Sequence, residues 1–284
     1  MYTPLQRNWN INLNSILGEA TKELIISSPY ISQVGARFLL NSITAEFKEI
    51  GTITFITDLS PKNVIQNSTD PDCFKFIFNS INKVQLFHLP RLHAKVYISD
   101  SKNAIITSGN LTAGGLFNNF EYGIFTRKKK IISTIKNDLL TYSNLGANIT
   151  YSEIENYCSI AKKLKDTYKQ KEKFADANLE NEFRKLIVKT NDELIIAKLS
   201  GGPLHSIFEK TILYLIQKNG ALSTIELHGL IQEIHPDLCD DYEDRVINGV
   251  RFGKKWKHAV RTAQQHLKKK KLVDLESGRW QLLF

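Results

Sequence analysis

The segment RLHAKVYISDSKNAIITSGNLT, Arg91 to Thr112, sets His93 and Lys95 two residues apart in a run that reads as β-strand. Strand side chains alternate faces, so His93, Lys95 and Tyr97 point one way while Ala94, Val96 and Ile98 point the other. The second trio is a credible core face. The first puts an imidazole beside an ammonium, which is costly to bury unless an anion receives both. A phosphate would satisfy the pair. On its own a His-x-Lys pair more often marks a solvated strand edge, so the surroundings must decide. Among the other histidines, His88 reads as structural or peripheral. His205, His228, His235, His258 and His266 have neither HExxH nor Cys-His spacing, so no metal ligand is expected among them.

The elements that would position this pair are short β-rich runs alternating with helical or turn-rich stretches. Lys22–Ser32, Thr52–Asp58, Val84–Leu89, His93–Ser99, Asn103–Gly109 and Glu121–Arg127 read as strands. A helical segment carrying Arg37, Phe38, Leu39, Leu40, Ile43 and Phe47 separates the first two. Such alternation predicts an α/β sheet with helices on its faces. From Lys129 to about Lys198 the pattern is helical and highly charged, the signature of a solvated connector or partner-facing surface. Gly201-Gly202-Pro203 then breaks the chain. Beyond it, Ile207–Gly220, Thr224–Pro236 and Trp256–Lys271 read as amphipathic helices, and Leu272–Leu283 as two short strands about Ser277-Gly278. The expected division is 1–150, a helical connector at 151–202, and a winged helix-turn-helix at 203–284.

The 284 residues carry a formal net charge of +9, which points to an anionic partner. Three widely separated cysteines, Cys73, Cys158 and Cys239, argue against a disulfide framework or a cysteine-based zinc site. Neither a secretory start nor an apolar run of membrane-spanning length is present, so a cytoplasmic protein with no membrane partner is expected.

His93-Ala-Lys95 with Asp100, followed by Ser108-Gly-Asn110, resembles the HxKxxxxD and downstream GSxN signature of the phospholipase D superfamily. Ser28–Ile31, Leu92–Ile98, Ser108–Thr112 and Asn119–Gly123 are similar to its nuclease branch, and the likeness covers roughly Lys22 to Arg127. Thr107 departs from it, standing where the pattern has its first glycine. The resemblance implies that His93 attacks phosphorus to form a phosphohistidine. It implies that Lys95 and Asn110, with Ser108 as a weaker donor, bond the non-bridging oxygens, and that Glu121 orients a histidine. Asp100 either makes an Asx-type turn or supports the site. Because the chain has one copy of the motif, the resemblance implies a homodimer. His93 of one subunit would be the nucleophile and His93 of the other the general acid and base. Such a site would need neither metal nor cofactor.

Between Arg251 and Arg279 basic residues far outnumber acidic ones, the footprint of phosphate-backbone contact. The segment from about Leu204 to Leu283 also resembles winged-helix modules attached to restriction enzymes, notably the N-terminal domain of Mrr-type proteins, through its third helix and Gly278-Arg279-Trp280. A recognition helix presents its N-terminal residues to the major groove, which selects Arg251, Lys254, Lys255, Lys257, His258 and Arg261, with Arg279 in the wing. Trp256 and Trp280 read as core aromatics. The combined expectation is an α/β phospholipase D-like domain followed by a smaller α+β winged helix. That pairing predicts a metal-independent, sequence-specific endonuclease of restriction type acting on double-stranded DNA, with a cognate methyltransferase as a further partner. A lipid phosphodiesterase, and a DNA-binding regulator with an inert phospholipase D-like dimerisation domain, are the alternatives.

Overall fold

The six β-rich runs of the first half become six strands of one sheet, and two further strands extend its edges. The computed structural model describes residues 2–173, 177–247 and 250–283, and divides after Ala197 into two compact units. In the first, β1 (Tyr2–Leu5) and α1 (Trp9–Gly18) lead to β2 (Glu23–Ser27), α2 (Gln33–Ser42), α3 (Ala45–Ile50), β3 (Thr52–Thr57), α4 (Pro61–Ile65), α5 (Asp72–Ser80) and β4 (Lys83–His88). There follow β5 (Val96–Ser99), β6 (Asn103–Thr107), a single π-helical turn at Gly114–Asn118, β7 (Gly123–Thr126), α6 (Lys129–Leu145), β8 (Ala147–Ile149), α7 (Tyr151–Lys173) and α8 (Ala177–Ser200).

The sheet runs β1-β7-β6-β5-β2-β3-β4-β8, with β2, β3 and β4 mutually parallel and the remaining pairs antiparallel. Strands inside such a sheet are covered on both faces, so β5 is buried along its whole length rather than alternating. The helical stretch between β2 and β3 is two helices, because Ile43 is extended and Thr44 starts a new one by accepting from the Phe47 N–H. The edge strands β1 and β8 have no counterpart among the expected strands. Each is short, and Pro4, which lacks an N–H, is tolerated only at an edge.

The stretch expected as a charged connector has one face in the core. Ile154, Tyr157, Cys158 and Ala161 of α7 and Leu194 and Ala197 of α8 join Leu13, Leu39, Phe55 and Phe74, and the Tyr157 hydroxyl donates to the Leu59 carbonyl. Most of the described charges of α7 lie on the other face, and residues 174–176 lie outside the described residues. Cys73, Cys158 and Cys239 are free and buried, and burial pushes Cys158 and Cys239 up to about 12, as for inert packing thiols. Among the described residues no helix is long and apolar enough to cross a membrane.

The second unit contains α9 (Leu204–Asn219), β9 (Leu222–Ser223), α10 (Thr224–Ile234), β10 (Asp244–Ile247), β11 (Val250–Lys254), α11 (Lys255–Lys269), β12 (Val273–Glu276) and β13 (Arg279–Leu282). Gly220 ends α9 at φ +79°, and a Ser223/Glu226 capping box starts α10. Strands β12, β13 and β9 form a small sheet, its tight turn made by Ser277 and Gly278 at φ +50° and +77°. Trp256 and Trp280 are core residues whose indole N–H groups donate to Asp241 and Thr224. The hairpin β10–β11 lies between the second and third expected helices and was not among the expected elements.

A buried polar chain ties this unit together. Lys198 Nζ donates to Asp237 (3.0 Å) and to His235 Nδ1 (2.9 Å), while His235 Nε2 meets Thr211 Oγ1 at 2.7 Å. Since an ammonium only donates, Nδ1 is the acceptor and the ring is neutral with its proton on Nε2. Burial first, and the Lys198 charge second, hold His235 well below the usual histidine range. Its contribution to stability is therefore fully present above the unfolded-state pKa and is lost as pH falls through the folded-state value. The melting-temperature advantage of the wild type over His235→Gln is expected to shrink as pH is lowered from ~7 to ~5, measured by thermal unfolding.

Candidate active site

Antiparallel pairing brings the end of β2, the start of β5, the end of β6 and the start of β7 to one end of the sheet. Ser27 pairs with Val96, Val96 with Ile106, and Thr107 with Gly123. The register continues beyond the strands: Thr107 N donates to the Lys95 carbonyl and Ser108 N to the Tyr122 carbonyl. Lys95, Ser108 and Tyr122 therefore lie on adjacent chains.

His93 and Lys95 form the lead-in to β5, which itself starts at Val96. The strand is three residues shorter than the expected His93–Ser99 run. The outcome for the two side chains is unequal: Lys95 is only 8% exposed, whereas His93 faces solvent. Lys95 Nζ lies 3.0 Å from His93 Nε2. The ammonium must be the donor, which fixes the imidazole proton on Nδ1 and leaves the Nε2 lone pair at the cation. Burial weakens the hold of Lys95 on its proton, and the negative charge of Glu121 partly restores it.

The loop after β6 is held from several directions. Thr107 takes the place of a glycine without positive φ, its hydroxyl donating to the Tyr122 carbonyl and accepting from Gly109 N, both at 3.2 Å. The Tyr97 hydroxyl donates to the Gly109 carbonyl at 3.0 Å, and the Trp9 indole to the Gly115 carbonyl at 2.7 Å. A Cβ on Gly109 would stand 2.6 Å from the Trp9 ring, and one on Gly115 would stand 2.4 Å from the Asn110 carbonyl oxygen, so both close approaches require glycine. Ser28 accepts from Leu111 N at 3.0 Å, and its Oγ lies 3.5 Å from Asn110 Oδ1. With Oδ1 turned to Ser28, the Asn110 amide N–H groups remain to donate elsewhere.

Glu121 is engaged within the chain. Ser108 Oγ donates to its carboxylate, Asn119 Nδ2 donates to Oε1 at 3.0 Å, and Tyr122 N donates to Ser108 Oγ at 3.1 Å. Glu121 thus braces Ser108 and the loop. It was expected to orient a histidine, but within one chain its partners are Ser108 and Asn119. Trp9 and Ser28 were assigned no role from the sequence. Ser28 lies inside the Ser28–Ile31 stretch, whereas Trp9 is some hundred residues away from the loop it supports, and no local pattern marks it.

Asp100 lies elsewhere. It is at the far end of β5 from Lys95, at φ +52° in a tight turn with Ser101 at +53°. Its carboxylate accepts from Thr21 N, Thr21 Oγ1, Lys22 N and Glu23 N at 2.8 to 3.0 Å. Burial alone would raise this carboxyl, but the N–H donors of Glu23, Lys22 and Thr21, with the Thr21 hydroxyl, outweigh it and hold the pKa below the usual range. Of the two expected roles the geometry realises the turn, extended into a clamp on the start of β2.

In the second unit, Lys255, Lys257, His258 and Arg261 fall on the first half of α11, and Arg251 and Lys254 on β11 just before it. Asp244 pairs with Lys254 (2.9 Å) and Arg251 (3.8 Å), Glu243 pairs with Lys255 (2.7 Å), and Lys257 lies over the Trp256 ring. Arg279, half exposed, donates to both Glu226 oxygens and to the Ala221 carbonyl. That anchors β13 to the start of α10.

Asp100→Ala is expected to lower stability in denaturant unfolding by about 2 kcal/mol, the order expected when charge-assisted hydrogen bonds to a half-exposed carboxylate are lost. The far end of the sheet, with the His93 and Lys95 signals followed by NMR, is expected to stay unchanged.

Residues 13–141 match the family model described as cardiolipin synthase, PLD-like domain. Among solved structures, the chain is similar to Nuc, a phospholipase D family member from Salmonella typhimurium, at 15% identity over 52% of this chain and 97% of that one, with a TM-score of 0.44. It is also similar to NucT from Helicobacter pylori, at 17% identity, 52% and 100% coverage and a TM-score of 0.41. A third is phosphatidylserine synthase from Haemophilus influenzae, at 13% identity, 60% and 44% coverage and a TM-score of 0.43. No curated protein matches significantly. The matched span contains His93, Lys95, Ser108, Asn110 and Glu121, and the first unit of this chain carries a PLD-like domain of the cardiolipin synthase type.

Proposed function

We propose that the protein is a metal-independent DNA endonuclease of restriction type. In this reading the PLD-like domain cuts the phosphodiester and the second unit, a winged helix, supplies recognition. The observation that carries the reading is the buried Lys95 ammonium 3.0 Å from His93 Nε2. A buried cation beside an imidazole lone pair is a site waiting for an anion with an electrophilic centre.

A substrate phosphate oxygen takes over the Lys95 donor, which releases the His93 lone pair. Nε2 then attacks phosphorus, the P–N bond forms, and the P–O bond to the leaving group breaks. Asn110 and Lys95 hold the charge that accumulates on the non-bridging oxygens. Ser108, tied to Glu121, is the weaker donor. The departing oxygen takes its proton from Nε2–H of His93 of a second copy, which acts from the imidazolium state once the anionic substrate has drawn Lys95 away from it; the neutral ring left behind next removes a proton from the water that splits the P–N bond. The phosphate monoester leaves and both imidazoles return to their starting states. This cycle requires a homodimer with two facing motifs, and it uses built-in cations where other phosphodiesterases use metal.

Support for a nucleic-acid substrate comes from the net charge of +9 and from the basic side chains at the start of α11. Lys257, His258 and Arg261 are the candidates for entry into the major groove, with Arg251, Lys254 and Lys255 beside them on the backbone side. A phospholipid phosphodiester is the second reading, favoured by the description of the matching family model. Restriction-type pairing with a methyltransferase follows only from the first.

The test is cleavage of a long unmethylated duplex in excess EDTA by wild type and His93→Ala, alongside phosphatidylglycerol vesicles. Discrete DNA fragments from wild type alone are expected, with His93→Ala slower by at least ~1000-fold, the order seen when a nucleophile is removed. DNA left intact while the lipid is hydrolysed would replace the nuclease reading with the lipid one.

A further inference from the structure

His266 is some sixty residues away in sequence from His205 and Glu209, yet the fold gathers the three. His205 and Glu209 are one turn apart on α9 and so share a face. His266 projects from α11, which packs against α9. One ligand atom from each residue can be chosen so that all lie within 4.8 Å of one another. His266 Nδ1 is 3.1 Å from Glu209 Oε1, and the His205 and His266 rings meet edge to face with centroids 4.7 Å apart.

We propose that His205, Glu209 and His266 form a zinc-class metal site that clamps α9 to α11. Two imidazole nitrogens and one carboxylate oxygen are a donor set that suits Zn²⁺, with water as the fourth ligand. The carboxylate is already divided for the task. Lys270 donates to Oε2, leaving Oε1 on the side of His266. A hydrogen bond to the distal oxygen of a ligating carboxylate is the usual outer-shell support. A plain ion-pair network of Glu209 with Lys270 and protonated His266 would explain two of the three residues. It gives no function to His205, whose ring is set against His266 beside the same carboxylate.

The metal would replace the His266–Glu209 hydrogen bond by two coordination bonds and add His205. The second unit would gain a cross-link between its first helix and the helix that begins with Lys255, Lys257 and His258. Metal binding would then couple to the stability of that unit and to the placement of its basic helix end. Nothing in this site enters the phosphodiester chemistry proposed for the first unit, so the two readings stand or fall separately.

The test uses the untagged full-length chain. Isothermal titration with Zn²⁺ at pH ~7.5 is expected to give one equivalent bound in the micromolar range or tighter, and an increase in melting temperature. His205→Ala, and the conservative His205→Gln, are expected to weaken binding at least ~10-fold. Neither residue change touches the Glu209–Lys270 pair, and circular dichroism checks that each variant is folded. Co²⁺ substitution reads the wild type directly and is expected to give visible bands of nitrogen and oxygen ligation without thiolate charge transfer. Absence of Zn²⁺ binding, undiminished binding by folded His205→Ala, or a thiolate band would each overturn the assignment.

Discussion

The contact between the Lys95 ammonium and His93 Nε2 sets the terms for the rest of the first unit. Lys95 is almost wholly withdrawn from water, which disfavours its charge, and the acceptor it reaches among the described residues is an imidazole nitrogen rather than an anion. Such an arrangement persists only if the backbone around it is fixed. The position of Lys95 between Ser27–Ala94 on one side and Thr107 on the other supplies that fixity, through Ser27 Oγ donating to the Ala94 carbonyl and Thr107 N donating to the Lys95 carbonyl. Glu121 supplies the compensating field from the adjacent chain. The cost of holding a partly compensated cation out of water is thus borne beside the middle strands of an eight-stranded sheet, which has neighbours on both sides.

The same logic accounts for the loop. In the proposed reaction, a donor such as Asn110 would be effective against a developing charge only if it did not have to move. Trp9, Tyr97, Ser28 and Thr107 each hold one backbone group of residues 109–115, and two glycines allow the approach. At the other end of β5, Asp100 performs the corresponding service for the fold by gathering three backbone N–H groups at the start of β2. One strand therefore carries a chemical pair at its start and a structural clamp at its end.

Much of this was legible in the sequence because it is local. The six β-branched runs, the His93-Ala-Lys95 and Ser108-Gly-Asn110 spacings and the Ser277-Gly278 turn are short-range patterns, and each maps to one element or one turn. What was not legible is long-range. Trp9 bears on a loop some hundred residues downstream, and the buried face of α7 is masked by the charges on its other side. The His205, Glu209 and His266 cluster exists only once α9 and α11 pack. Asp100 shows the intermediate case: the turn was readable from Ser-Asp-Ser, but which backbone its carboxylate would seize depended on β2 pairing with β5. Arg279 is read for its charge, and its Glu226 partner becomes visible only once β13 lies beside the start of α10. The pairing of β10 with β11 is another feature that the reading of the sequence does not anticipate.

The account centres on His93 as a nucleophile whose lone pair is held by Lys95 until a phosphate arrives. The most direct measurement is rapid acid-free denaturation of the enzyme during a single turnover, followed by mass spectrometry of the peptide that contains His93. The account predicts a substrate-derived phosphoryl adduct on His93, stable to base, lost on brief acid treatment, and absent when the substrate is omitted. Cleavage that proceeds through a full turnover with no adduct on His93 at any time point, or with the adduct on another residue, would contradict it.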